Sequence, residues 1–101
     1  MIKEISVEEL KSKLTSGERV QVIDIREPYE VDVASFTEIN IPLGEIIKRE
    51  NELSKEGIVV LHCQSGQRAS AACESLERLC NRTNIFNLTG GLEAWLALES
   101  A

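Results

Sequence analysis

Several function classes are excluded by what the sequence lacks. No apolar run approaches the roughly 20 residues that a membrane-crossing helix needs. The first residues, Met1 to Ser6, show no charged leader followed by an apolar stretch, so no signal peptide is expected. Positive charge is not in excess: 11 Lys and Arg stand against 17 Asp and Glu, a net charge of −6. General nucleic-acid binding, which needs a basic face, is therefore not expected. The three cysteines are an odd set and do not read as a disulfide framework. Cys73 and Cys80 are seven residues apart in an expected helix, roughly 10 Å along its axis and too far apart to bridge without distortion. A reducing, cytoplasmic setting is the expectation. The one histidine, His62, adjoins Cys63, so no zinc-ligand spacing exists, and neither a metal nor a cofactor is expected.

What is present suits one α/β domain over residues 1–101, with 43% apolar residues to build a single core. Ser6 and Glu9 have the spacing of a capping box, opening a helix with Val7, Leu10 and Leu14 on one face and Gly17 near its end. Val20–Ile25 reads as a buried strand running into the charged cluster Asp24, Arg26 and Glu27, and Pro28 suits the first turn of a short helix. Ile39–Ile41 is a short strand stopped by Pro42. Leu43 to about Leu53 is expected to be helical, with Leu43, Ile46, Ile47 and Leu53 inward. Ile58–Leu61 forms the strand before Cys63. The next helix carries Ala69, Ala72, Cys73, Leu76, Leu79 and Cys80 at one-face spacing. Ile85–Leu88 is a last strand, and Gly90-Gly91 turns tightly into a helix over Leu92–Leu98. This alternation predicts a mainly parallel sheet of about five strands with helices on both faces. In such sheets ligands sit beyond the carboxyl ends of the strands, where Cys63 and the Asp24 cluster both fall.

The loop after Leu61 carries the chemistry. A buried strand delivers Cys63 into the polar run Gln64, Ser65, Gly66 and Gln67, Arg68 closes it, and a helix starts at once. The N–H groups of such a loop can surround an anion, with the helix N-terminus adding partial positive charge. A cysteine there is placed to react as a thiolate. Cations are disfavoured at a helix N-terminus, so Arg68 reads as an anion-binding residue. His62 precedes Cys63 on the strand, so its side chain points to the opposite face and reads as packing rather than as a general base. Asp24 and Arg26 read as an ion pair or loop tie. Glu27 and Glu30 read as a solvated face, Trp95 as a core plug, and Cys73 and Cys80 as small buried hydrophobes.

Four segments together resemble the rhodanese-like domain, a sulfurtransferase family. They are Val22-Ile23-Asp24-Ile25-Arg26-Glu27-Pro28, Ile39-Asn40-Ile41-Pro42-Leu43, Cys63 to Arg68, and Gly90-Gly91-Leu92-Glu93-Ala94-Trp95. The resemblance implies that Cys63 becomes a persulfide after taking sulfur from thiosulfate or a persulfide donor. It implies that Gln64, Ser65, Gly66, Gln67 and Arg68 hold the transferred sulfur, with Asp24 and Arg26 supporting them. Many members have Gly-His ahead of the Ile-Pro turn, where this chain has Ser35-Phe36-Thr37-Glu38. Rhodanese modules attached to the adenylylating enzymes of molybdopterin and thiamine biosynthesis often lack that pair too, and they favour Cys-x-Ser-Gly loops. The implied acceptor is then the C-terminal carboxylate of a ubiquitin-like sulfur carrier. Two other readings stay open. A phosphatase of the Cdc25 or arsenate-reductase type shares the fold, but its cradle has five residues between Cys and Arg, whereas four stand here. A docking module without turnover is the other.

Overall fold

The computed structural model describes residues 2–101. Five parallel strands form one sheet in the order β1-β5-β4-β2-β3, comprising β1 (Lys3–Ile5), β2 (Val20–Asp24), β3 (Ile39–Asn40), β4 (Ile58–His62) and β5 (Ile85–Leu88). The β-branched runs of β2 and β4 suit strands buried between layers. These two pair in register from Val20↔Ile58 to Asp24↔His62, so both end at the same edge of the sheet. The helices are α1 (Val7–Thr15), α2 (Pro28–Val33), α3 (Gln67–Cys80) and α4 (Gly91–Glu99).

Strand alternation divides the core into two layers. Val59, Leu61 and Cys63 pack with Ala69, Ala72, Cys73 and Leu76 of α3, and with Ile46 and Leu53. Val60 faces the other way, toward Val7 and Leu10 of α1 and Trp95 of α4. His62 follows Val60 to that side. Its ring lies 4.6 Å from Phe36, which stacks on Trp95 at 4.3 Å. Phe36, the residue that marks the departure from the Gly-His pattern, thus fills space between two aromatic rings. Among the described residues, no helix is long and apolar enough to cross a membrane.

Three expectations are corrected. Leu43 to Leu53 is not an α-helix but holds two separate 3₁₀ turns, Leu43–Glu45 and Glu50–Glu52. Gly44 and the β-branched pair Ile46-Ile47 weaken helical propensity. The buried Arg82 guanidinium also takes the carbonyls of Leu53 and Ser54, drawing that chain into an irregular path. Ile46 and Leu53 are buried as expected, but Ile47 is exposed. Strand β1 went unread because only Ile5 of its three residues is buried, leaving no alternation to detect. Leu14 and Leu79 lie on the expected faces yet are exposed. Each sits in the last turn of its helix. There fewer neighbouring residues cover a side chain than in mid-helix, where Leu10 and Leu76 are fully buried.

Candidate active site

Cys63 is the first residue past β4, at the carboxyl edge of the middle strand of the sheet. It is 1% exposed. Its Sγ accepts hydrogen bonds from the backbone N–H of Gly66 at 3.1 Å and of Ala69 at 3.4 Å. Gly66 takes φ +106° as the residue before α3, a left-handed conformation that costs glycine little. The loop therefore curls back on the sulfur and enters the helix with its N–H groups turned inward.

The outer side of the loop is held by α4. Leu92 N–H donates to the Cys63 carbonyl at 2.8 Å, and Glu93 N–H donates to the Gln64 carbonyl at 3.1 Å. Two donors of that helix end, which have no partner within the helix, thus fix two loop peptides with their carbonyls away from the sulfur. The close approach needs Gly91, at φ +57°: a Cβ there would stand 2.4 Å from the Cys63 carbonyl oxygen. Gly90-Gly91 is more than the tight turn expected from the sequence. The structure makes it the wall behind the loop.

Asp24 and Arg26 lie below the loop, both buried. Arg26 grips the Asp24 carboxylate through Nε at 3.0 Å and Nη2 at 2.8 Å, and its backbone N–H adds a third bond at 3.0 Å. Its Nη1 reaches the Gln64 amide oxygen at 3.2 Å, and Nη2 also binds the Ala34 carbonyl. Burial pushes the Asp24 pKa up, but the Arg26 hydrogen bonds outweigh it and hold the carboxyl below its ordinary value. The pair ties the ends of β2 and α2 to the loop.

Neither His62 nor Cys73 competes with Cys63. Burial lowers His62 to about 4, against the pull of Asp24, so the ring is neutral near pH 7. Its nitrogens find no hydrogen-bond partner among the described residues, and it faces the layer opposite Cys63. Burial raises the Cys73 thiol to about 12. Cys80 is half-buried on α3.

Ser65 and Gln67 are exposed, and Gln64 is half-buried. Arg68, expected to face an anion, is already engaged: Nη1 and Nη2 grip the Glu30 carboxylate at 2.8 and 2.9 Å. Arg68 draws Glu30 down to about 2. Glu30 is thus a member of the site rather than of a solvated face. Sequence reasoning missed it, although its position at the third residue of α2, returning to the Glu27 N–H at 3.0 Å, was a local signal of an ordered carboxylate. Beside this ion pair lies a cavity of about 330 Å³, with Tyr29, Val33 and Ala34 on one side, Leu92 and Leu96 on the other and Gln64 at the loop.

Comparisons with known proteins bear on the family and the fold. The rhodanese-like domain model matches residues 6–98. A sulfurtransferase of Allochromatium vinosum is 34% identical over 96 residues, covering 94% of this chain and 89% of its own length. YrkF of Bacillus subtilis, a sulfur carrier protein by assignment, is 34% identical over 95 residues, covering 93% of this chain. The chain spans about half, 51%, of that relative. A rhodanese-like domain protein from Staphylococcus aureus superposes with a TM-score of 0.83 at 32% identity, covering 93% of this chain and 91% of that one. This chain belongs to the rhodanese-like domain family.

Proposed function

We propose that the chain transfers sulfane sulfur through a persulfide on Cys63. Relatives named as sulfurtransferases support sulfur transfer in general. The observation that carries the finer reading is the Cys63 Sγ held by two inward N–H groups, from Gly66 and Ala69. The Cys63 thiolate attacks the outer sulfur of thiosulfate or of a persulfide. The donor's S–S bond breaks, sulfite or a thiolate departs with the electron pair, and Cys63 keeps the sulfur as a persulfide. Loop N–H groups and the α3 dipole stabilise that added sulfur as an anion. A second nucleophile then removes it and restores the thiolate.

Four residues between Cys63 and Arg68 favour this over phosphate chemistry, since the ring is tight around one sulfur atom. For the acceptor, we propose the C-terminal carboxylate of a ubiquitin-like sulfur carrier, activated by an adenylylating enzyme and converted to a thiocarboxylate. The naming of YrkF as a sulfur carrier protein supports a protein that carries sulfur as a partner. Thiosulfate or an organic persulfide should add one cyanide-removable sulfur atom to the intact mass, and Cys63→Ser should abolish the gain. Absence of any gain in the unaltered protein would sink the proposal.

A further inference from the structure

The short helix α2 buries none of its residues among the described ones, yet it carries Tyr29 at 73% and Val33 at 86% exposure. Across the cavity stands Leu96, 47% exposed, above the buried Leu92. Tyr29, Val33 and Leu96 belong to neither core layer. They line a space beside the reactive loop, and about 330 Å³ is the size of a small organic group, at the low end of ligand pockets.

Charge at the same place runs against an anionic donor. Arg26 is matched by Asp24 and Arg68 by Glu30. The Gln64 amide beside them donates to the Glu93 carboxylate at 3.4 Å. A thiosulfate dianion would find both guanidinium groups occupied and would have to displace Glu30, which is ionised at any ordinary pH. A small organic persulfide in its protonated form, R–S–S–H, meets neither obstacle and gains by burying its apolar group.

Resting on the sulfur-transfer reading above, we infer that the donor is a small organic persulfide, reacting in its neutral form R–S–S–H, whose apolar group fills the α2–α4 cavity, with Glu30 setting that preference by occupying Arg68. In the step, Cys63 Sγ, as thiolate, attacks the terminal sulfur of R–S–S–H. A new S–S bond forms, the donor's S–S bond breaks, and the electron pair leaves on R–S⁻, which takes a proton from water. Cys63 holds –S–S–H, and no outside oxidant or reductant takes part. Glu30 is a specificity residue here and touches no reacting atom.

The test compares rates of sulfur gain on Cys63, by quenched intact-mass spectrometry, for benzyl persulfide, methyl persulfide and thiosulfate. The two persulfides share their reacting atoms but differ in leaving-group basicity, so their ratio is read relative to the same ratio measured with a small free thiol, which has no cavity. On that scale benzyl persulfide should load faster than methyl, and Leu96→Ser, at an exposed position, should shrink that advantage. Glu30→Gln should raise thiosulfate loading relative to methyl persulfide roughly ten-fold, the scale of one charge-assisted hydrogen bond released. Equal rates for benzyl and methyl persulfide on that scale would overturn the inference. So would a thiosulfate ratio that Glu30→Gln leaves unchanged. Either result leaves sulfur transfer standing, whereas no gain from all three donors ends the sulfur-transfer reading, and this inference with it.

Discussion

At the scale of single residues, the loop depends on one missing methyl group. Gly91 brings the N-terminus of α4 close enough for its N–H groups to hold the Cys63 and Gln64 carbonyls, and a Cβ there would lie 2.4 Å from backbone. Rigid backbone cannot yield as a flexible side chain can, so Gly91→Ala must push α4 and the loop apart. The left-handed φ of Gly91 adds strain for any other residue. We expect Gly91→Ala to cost about 2–4 kcal/mol of stability, summing overpacking and backbone strain. Urea denaturation measures that loss. In the fraction still folded, sulfur gain on Cys63 should fall as well, because the N–H groups around the sulfur lose their fixed direction. A variant with unaltered stability and loading would refute this account of the loop.

Among the elements, the segment between β3 and β4 shows tertiary contact overriding local pattern. Leu43, Ile46 and Leu53 have helical spacing, and Ile46 and Leu53 are buried, yet the chain makes two 3₁₀ turns. Arg82, at the turn after α3, ties this segment down: Nη1 binds Glu50, and the guanidinium also binds the Leu53 and Ser54 carbonyls. Asn84 adds a bond from its amide to the Ser54 carbonyl at 3.0 Å. Arg82→Ala should free those carbonyls and cost about 2–4 kcal/mol, since buried polar groups lose their partners. Hydrogen exchange should quicken first over residues 43–54 while β4 keeps its protection. Uniform acceleration across the sheet would mean that Arg82 supports the whole fold rather than this segment.

For the molecule as a whole, acid is where buried polar chemistry reports on stability. The folded chain holds His62 near 4, whereas an unfolded chain takes up that proton near the ordinary 6.5. Between these values the unfolded state binds the extra proton. His62's contribution is therefore complete above about pH 6.5 and is lost as pH falls toward 4. At about 1.4 kcal/mol for each pH unit the loss is of order 3 kcal/mol. Glu30, held to about 2 against an ordinary 4.5, adds a further loss as pH falls from about 4.5 to 2. Urea midpoints should thus decline from pH 6.5 to 4. His62→Phe, which keeps an aromatic ring beside Phe36, should flatten that stretch and leave the lower one. A midpoint independent of pH over 4 to 6.5 would contradict the neutral buried imidazole.

By itself the sequence determined the alternation of strands and helices, the mainly parallel sheet, and the place of Cys63 beyond the carboxyl end of its strand; that this strand is the middle one came from the tertiary structure. The former rest on periodicity, capping and chain direction, all local properties. It also placed His62 away from Cys63, because strand alternation decides that one residue at a time. Tertiary structure alone decided what Arg68 does. Its partner Glu30 lies 38 positions away on another element, and no local rule distinguishes a carboxylate in solvent from one facing a guanidinium. The same holds for β1, which exists only because β5 offers an edge, and for the Gly91 wall, which needs the β4 loop and α4 brought together. The cavity between α2 and α4 is of that kind too: its walls come from separate stretches of chain, and only their packing makes a space.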